Sequence, residues 1–362
     1  VTIPKSQYSK DAMPDQSDAS AQKKPLDESM LASATWSATP RAGIVLSSFA
    51  GGEEHDGTKL AGLADPQPVD KPLTPAQITA LLRKAMELAS RAPAGSGGGG
   101  GGRRRSQGQG PGSDEWAVIL ITLNPTVSTD PQLVAAYLED QASQRRGKRF
   151  TIAAGSTLPP AYATLVASLT KRYPQILFDT VDLSKDAFIE SPSIRRTFAK
   201  NNPQGLYAIA NTIRECDRVV SIAPLQVSRT TGVALAVANY WAVAPPSAYG
   251  PRKEKLASLG DPVDVLTDLY LHRPADYAIV GGSVHQDAGG PVHHNIVIAG
   301  SNAVSVDSIG AAVMGFDPEK LPLLDRLEAR GFGVISPDSI WTRGNEIEQA
   351  RKPFRKPQEF AA

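Results

Sequence analysis

The sequence predicts an α/β protein with a mainly parallel sheet covered by helices. Two observations carry that expectation. From Glu115 onward, apolar runs of strand length alternate with segments of helical period, the order that builds parallel strands joined by crossover helices. The composition, 41% hydrophobic and 21% charged residues, is that of a globular protein. Its 362 residues suffice for one large domain or two ordinary ones.

Folded sequence opens at Ala42, where GIVLSSFA reads as a buried strand. After the loop GGEEHDG, Thr74 supplies a helix N-cap and Pro75 the first helical position. Ile78, Leu81, Leu82, Ala85 and Leu88 then share one helical face, and Pro93 ends the helix. The insertion over 93–113 is rich in Gly and Arg and has few side chains to pack, so it reads as a flexible loop. WAVILITL is a strand, a helix starts at Pro131, and KRFTIAAG is a second strand. YATLVASLTKRYP is a helix stopped by Pro174, ILFDTVDL a strand, YAIANTIREC a helix and DRVVSIAPL a strand. DYAIVGGSV and HNIVIAGS follow as strands around a glycine-rich loop, and SVDSIGAAVMG as a helix.

This places an α/β domain over 41–345 between two non-globular ends. Residues 1–40, rich in Pro, Ser, Asp and Lys, form an arm without periodicity, and Tyr8, Met30 and Trp36 are its potential anchors to a partner. Residues 346–362 read as an extended basic tail, with Phe354 inside the run Arg351-Lys352-Pro353-Phe354-Arg355-Lys356.

Several function classes find no support. A formal net charge of +1 gives no field to recruit nucleic acid, and no recognised binding module accompanies the basic runs. The single cysteine, Cys216, excludes intramolecular disulfides and a cysteine-held iron–sulfur cluster; it reads as a buried small residue before a strand. No apolar run reaches the ~20 residues of a membrane span. Opening at Val1 with polar sequence suits a mature exported protein, periplasmic or extracellular. Gly281-Gly282 and Gly289-Gly290 lack dinucleotide-fingerprint spacing, and no Gly-x-Ser-x-Gly elbow is present.

Three stretches carry a resemblance. The first is WAVILITLNPTVSTDPQLVAAYLED, the second CDRVVSIAPLQVSRTTGVALAVANYWAV. The third runs from Asp276 through Ser301-Asn302-Ala303-Val304-Ser305-Val306-Asp307 to Met314-Gly315-Phe316-Asp317-Pro318. In this order they resemble the family called domain of unknown function 362, over Ala42 to about Asn345 without the insertion. The resemblance implies Asp307 as the family's aspartate. The sequence departs from the family pattern where the family carries cations. Leu123 replaces a Lys, with Asn124-Pro125 after it. Pro224-Leu225-Gln226-Val227-Ser228-Arg229 replaces Pro-Lys-Leu-Lys-Thr-His, and Ala238-Asn239 replaces Lys-Asn. Those lost groups are the ones able to bind anions or move protons.

The remaining candidates form two sets. His285, Asp287, His293 and His294 are types that ligate a divalent metal. His293 and His294 are adjacent, however, so only one can join His285. Asp307, at a strand-to-helix turn, reads either as a ligand-site residue or as a helix cap. Arg229 could hold a carboxylate or phosphate in place of a lost lysine.

Two readings follow. In the first, the protein is a non-catalytic accessory or structural subunit of a larger exported assembly. It contacts protein partners through residues 1–40 and the basic tail and holds no cofactor. In the second, it is a metal- or anion-dependent enzyme, or a small-ligand-binding protein, with its site around Asp307 and the His285/His293 loop.

Overall fold

A computed structural model of the protein describes residues 39–53, 57–90, 115–144, 146–192 and 197–361. The expectations for the arm up to residue 38 and for the 93–113 insertion lie outside the described residues. Eight strands form one sheet: β1 (Arg41–Leu46), β2 (Trp116–Ile121), β3 (Arg149–Ala154), β4 (Leu177–Asp182), β5 (Arg218–Ala223), β6 (Tyr277–Asp287), β7 (Gly290–Gly300) and β8 (Trp341–Gly344). They lie in the order β8-β1-β7-β6-β5-β2-β3-β4. The run β6-β5-β2-β3-β4 is parallel, as is the β1–β8 pair. β7 runs antiparallel between β1 and β6. The fold is therefore α/β with a mostly parallel sheet.

Strand side chains alternate between faces, so each strand feeds two cores. In β2, Ala117, Ile119 and Ile121 join the core beneath α1 (Pro75–Ser90), α2 (Pro131–Ser143) and α3 (Pro160–Arg172). Val118 and Leu120 join the opposite core. That second core is covered by α4 (Pro262–His272), α5 (Ala303–Val313), α6 (Pro322–Ala329) and a 3-10 turn over Val237–Val243.

Local sequence explains how α1 starts and where it lies. The Thr74 hydroxyl accepts the Gln77 amide at 3.3 Å and Gln77 Oε1 accepts the Thr74 amide at 2.9 Å, a reciprocal capping box. The five residues assigned to its apolar face are all buried. The helix sits so close to β1 that a Cβ at Gly43 would lie 2.0 Å from the Ala85 carbonyl oxygen.

Three segments differ from the sequence reading. Tyr207–Ala210 is not helical: Leu206–Ala210 pairs antiparallel with Phe188–Pro192, and only Asn211–Glu215 forms a helical turn. A short buried apolar run fits either period, and here strand pairing decides. The glycine-rich stretch after Gly282 is not a flexible loop either. β6 and β7 continue past the sheet as a hairpin, with a bulge between Gly282 and Val284. Gly281 and Gly282 take φ of 138° and 124° there, values open to glycine.

The third difference concerns residues 346–361, which return to the body instead of extending from it. Ile347–Ala350 is a helical turn closed by a Glu346/Gln349 capping box. The Lys352 and Phe354 amides bond the Val313 and Met314 carbonyls at the end of α5, both at 2.9 Å. Phe354 is buried in the second core and packs beside His285, ring centres 6.3 Å apart. Replacing Phe354 with Ala should therefore lower unfolding free energy in urea by about 3 kcal/mol. It should also make the segment after Ala350 sensitive to limited proteolysis.

Candidate functional site

Open α/β sheets place ligands at the carboxyl ends of their strands, where neighbouring connections leave in opposite directions. Here that point lies between β2 and β5. The backbone leaves β2 for β3 and β4 on one side, and leaves β5 for β6 on the other. Leu123-Asn124-Pro125 follows β2 and Pro224-Leu225-Gln226 follows β5, so both segments border this crevice.

Their side chains bond one another. Asn124 Nδ2 donates to Gln226 Oε1 at 3.1 Å, and Gln226 forms a backbone bridge with Gln286 of β6. Asn124 Oδ1 accepts the Thr126 and Val127 amides at 3.1 and 2.8 Å, fixing the turn after β2. Deeper in, the Thr122 hydroxyl donates to Asn239 Oδ1 at 2.7 Å. The Asn239 amide donates to Ser221 Oγ at 3.0 Å and the Ile222 carbonyl at 3.2 Å. Neutral amides and hydroxyls thus bond one another across the crevice.

Asp307 is placed differently from either sequence reading. The N-cap of α5 is Asn302, whose side chain accepts the Ser305 amide. Asp307 lies inside the helix and is 2% exposed. Its two oxygens accept the Ala236 and Val237 amides, both at 2.9 Å, and so it caps the Val237–Val243 turn across the core instead of its own helix. Burial pushes its pKa up to about 7 against the pull of those two donors.

The histidines and Asp287 do not gather around a metal position. His285 is buried, its Nδ1 accepting the Leu225 amide at 3.1 Å and its Nε2 donating to the His294 carbonyl at 2.7 Å. Those bonds select the neutral tautomer, and burial lowers the pKa to about 3. His294 is buried on the same side, with Nε2 donating to the Ala350 carbonyl at 2.9 Å and Nδ1 without a partner. His293 points to the other face and is exposed, as adjacent strand residues must be. Asp287 ties the hairpin: Oδ1 accepts the Gly289 and Gly290 amides and Oδ2 the Arg355 amide at 3.0 Å. Among the described residues, no three His, Cys, Asp or Glu side chains are placed to share a metal ion. Arg229 is exposed in the turn between Val227–Ser228 and Gly232–Val233. Cys216 is buried before β5, and burial pushes its thiol up to about 12.

A recess of about 240 Å³, with no counterpart in the sequence reading, opens beside the carboxyl ends of β2 and β3. It is lined by Leu123, Asp130, Pro131, Pro159, Tyr162 and Val284. The Asp130-Pro131 pair signals the start of α2 in the sequence, but nothing local shows that Val284, far along the sequence, faces it.

These features define a doubly wound α/β protein with a strand-end crevice lined by neutral amides. Residues 121–312, more than half of the whole, match the family described as domain of unknown function (DUF362), and the protein belongs to that family. The match is narrower than the 42–345 suggested by the motifs and covers the strands that frame the crevice. Among curated proteins, none matches this one.

The buried Asp307 makes stability depend on pH in a definite sense. Between its ordinary 3.8 and about 7, the native state keeps a proton that the unfolded state has lost. This contribution is therefore full in acid and is lost as pH rises through about 7. His285 acts oppositely, its contribution being present above 6.5 and lost as pH falls toward 3. Urea titrations of wild type and Asp307→Asn from pH 4 to 8 separate the two. Wild type should lose stability relative to the variant by up to ~1.4 kcal/mol per pH unit. A constant difference would count against a protonated Asp307.

Proposed function

We propose that this protein is a non-catalytic accessory or structural subunit of an exported protein assembly. The observation that carries this reading is how fully the reactive groups are used in holding the fold. Asp307, His285 and Asp287 each have both polar atoms of the side chain bonded to backbone groups. The crevice amides are bonded to one another. Such groups can act chemically only by breaking bonds on which buried backbone depends.

Two further features support an interaction role. Phe188, Ile189 and Leu206 are 37%, 50% and 39% exposed on the ribbon formed by Phe188–Pro192 and Leu206–Ala210, and exposed apolar clusters are a mark of contact surfaces. Residues 1–40 include several large side chains in sequence too polar to form a core, a composition suited to ordering on a partner. The proposed exported location accords with a protein whose one thiol is buried and poorly ionised. No helix among the described residues is long and apolar enough to cross a membrane.

The test is the native mass of the protein purified gently from its source, with co-purifying proteins identified and the compartment fractionated. The expected result is a mass well above 38.3 kDa with stoichiometric foreign subunits in the exported fraction. Deletion of residues 1–40 should reduce incorporation, whereas Arg229→Ala should leave it intact. A lone monomer or homo-oligomer from the native source would overturn the proposal.

A further inference from the structure

The recess beside β2 and β3 contains the carboxylate of Asp130, the N-cap of α2, with one oxygen left open. Asp130 Oδ1 accepts the Gln132 amide at 2.8 Å, while Oδ2 has no partner among the described residues. Burial raises the pKa of the group, and the one opposing influence is that Gln132 amide, with no lysine or arginine contributing. The surrounding wall is mostly apolar, built from Leu123, Pro131, Pro159, Tyr162 and Val284, with Ser128 and Thr129 also lining it. Tyr162 presents its ring, because its hydroxyl donates to the Thr129 carbonyl at 3.0 Å. Val284 is 45% exposed, a large apolar side chain left open to solvent.

An anion finds little to hold it here. The first amides of α2 are already used: Gln132 by the Asp130 side chain, Leu133 and Val134 by the Asp130 carbonyl. A carboxylate in an apolar recess is instead stabilised by a cation that brings its own apolar body. The volume of about 240 Å³ corresponds to roughly eight waters at ~30 Å³ each, room for an amine of five or six carbons.

We infer that this recess binds a small organic cation, a primary ammonium on a compact branched or aromatic body, with the ammonium donating to Asp130 Oδ2. The site is independent of the subunit reading and stands or falls without it.

Isopentylammonium and its uncharged isostere isopentyl alcohol are the probes, titrated into the full-length protein at pH 7.5 by calorimetry and ligand-observed NMR. The ammonium should bind at least tenfold more tightly than the alcohol, a difference of ~1.4 kcal/mol. Asp130→Asn keeps an equally good helix cap, so the variant stays folded and should lose the preference for the ammonium. Val284→Trp, at an exposed position, should narrow the recess and weaken both probes. Equal binding of the two probes, unchanged ammonium binding by Asp130→Asn, or no binding of either probe would each overturn the inference.

Discussion

The second core depends on α5 being buried on every side. All residues from Ala303 to Val313 are buried, so each polar side chain in the helix needs a partner inside the protein. Ser305 and Ser308 donate to the Val334 and Ile335 carbonyls, and Asn302 donates to the Phe332 carbonyl. Asp307 takes the two amides that open the Val237–Val243 turn. That turn also carries Asn239, which ties it to β5 and to the Thr122 hydroxyl beyond β2. One buried helix thereby fixes the loop after α6 and the connection on the far side of the crevice. A carboxylate in this position has a structural task, and its raised pKa follows from the burial that the task requires.

Much of the fold was legible in the sequence because strand and helix lengths there obey local rules. The apolar face of α1, its Thr74-Pro75 start and the burial of Cys216 needed only period and capping chemistry. The failures share a cause: tertiary pairing decided between local alternatives. Tyr207–Ala210 is a strand because Phe188–Pro192 pairs with it. The β6–β7 extension is a hairpin because Asp287 and the bulged glycines close it. The candidate site was legible in part. The segments after β2 and β5 singled out in the sequence do lie side by side, joined by the Asn124–Gln226 bond. The partners of His285, Asp287 and Asp307 could not be foreseen, since six of their bonds come from backbone amides, which leave no trace in residue identity.

The crevice is closed by two neutral side chains that bond each other. Asn124 and Gln226 remain hydrogen-bonding side chains of useful length, so the loops after β2 and β5 stay ordered by direct contact. A lysine at either place would leave charge seeking an anion, whereas two amides satisfy each other without one.

The pairing of β1 constrains the order in which the molecule can be assembled during synthesis. Its neighbours in the sheet are β7 and β8, so Arg41 lies beside Trp341 and Leu46 beside Ile296. β1 therefore waits for its partners until β7 and β8, made long after it, have emerged from the ribosome. Meanwhile β2 to β5, with their helices, can pair among themselves. Such long-range closure is slow and leaves an apolar strand unpaired in the nascent polypeptide. The pairing of β1 with β7 and β8 is therefore a late step of folding, and a protein cut before β7 would leave β1 without either neighbour in the sheet.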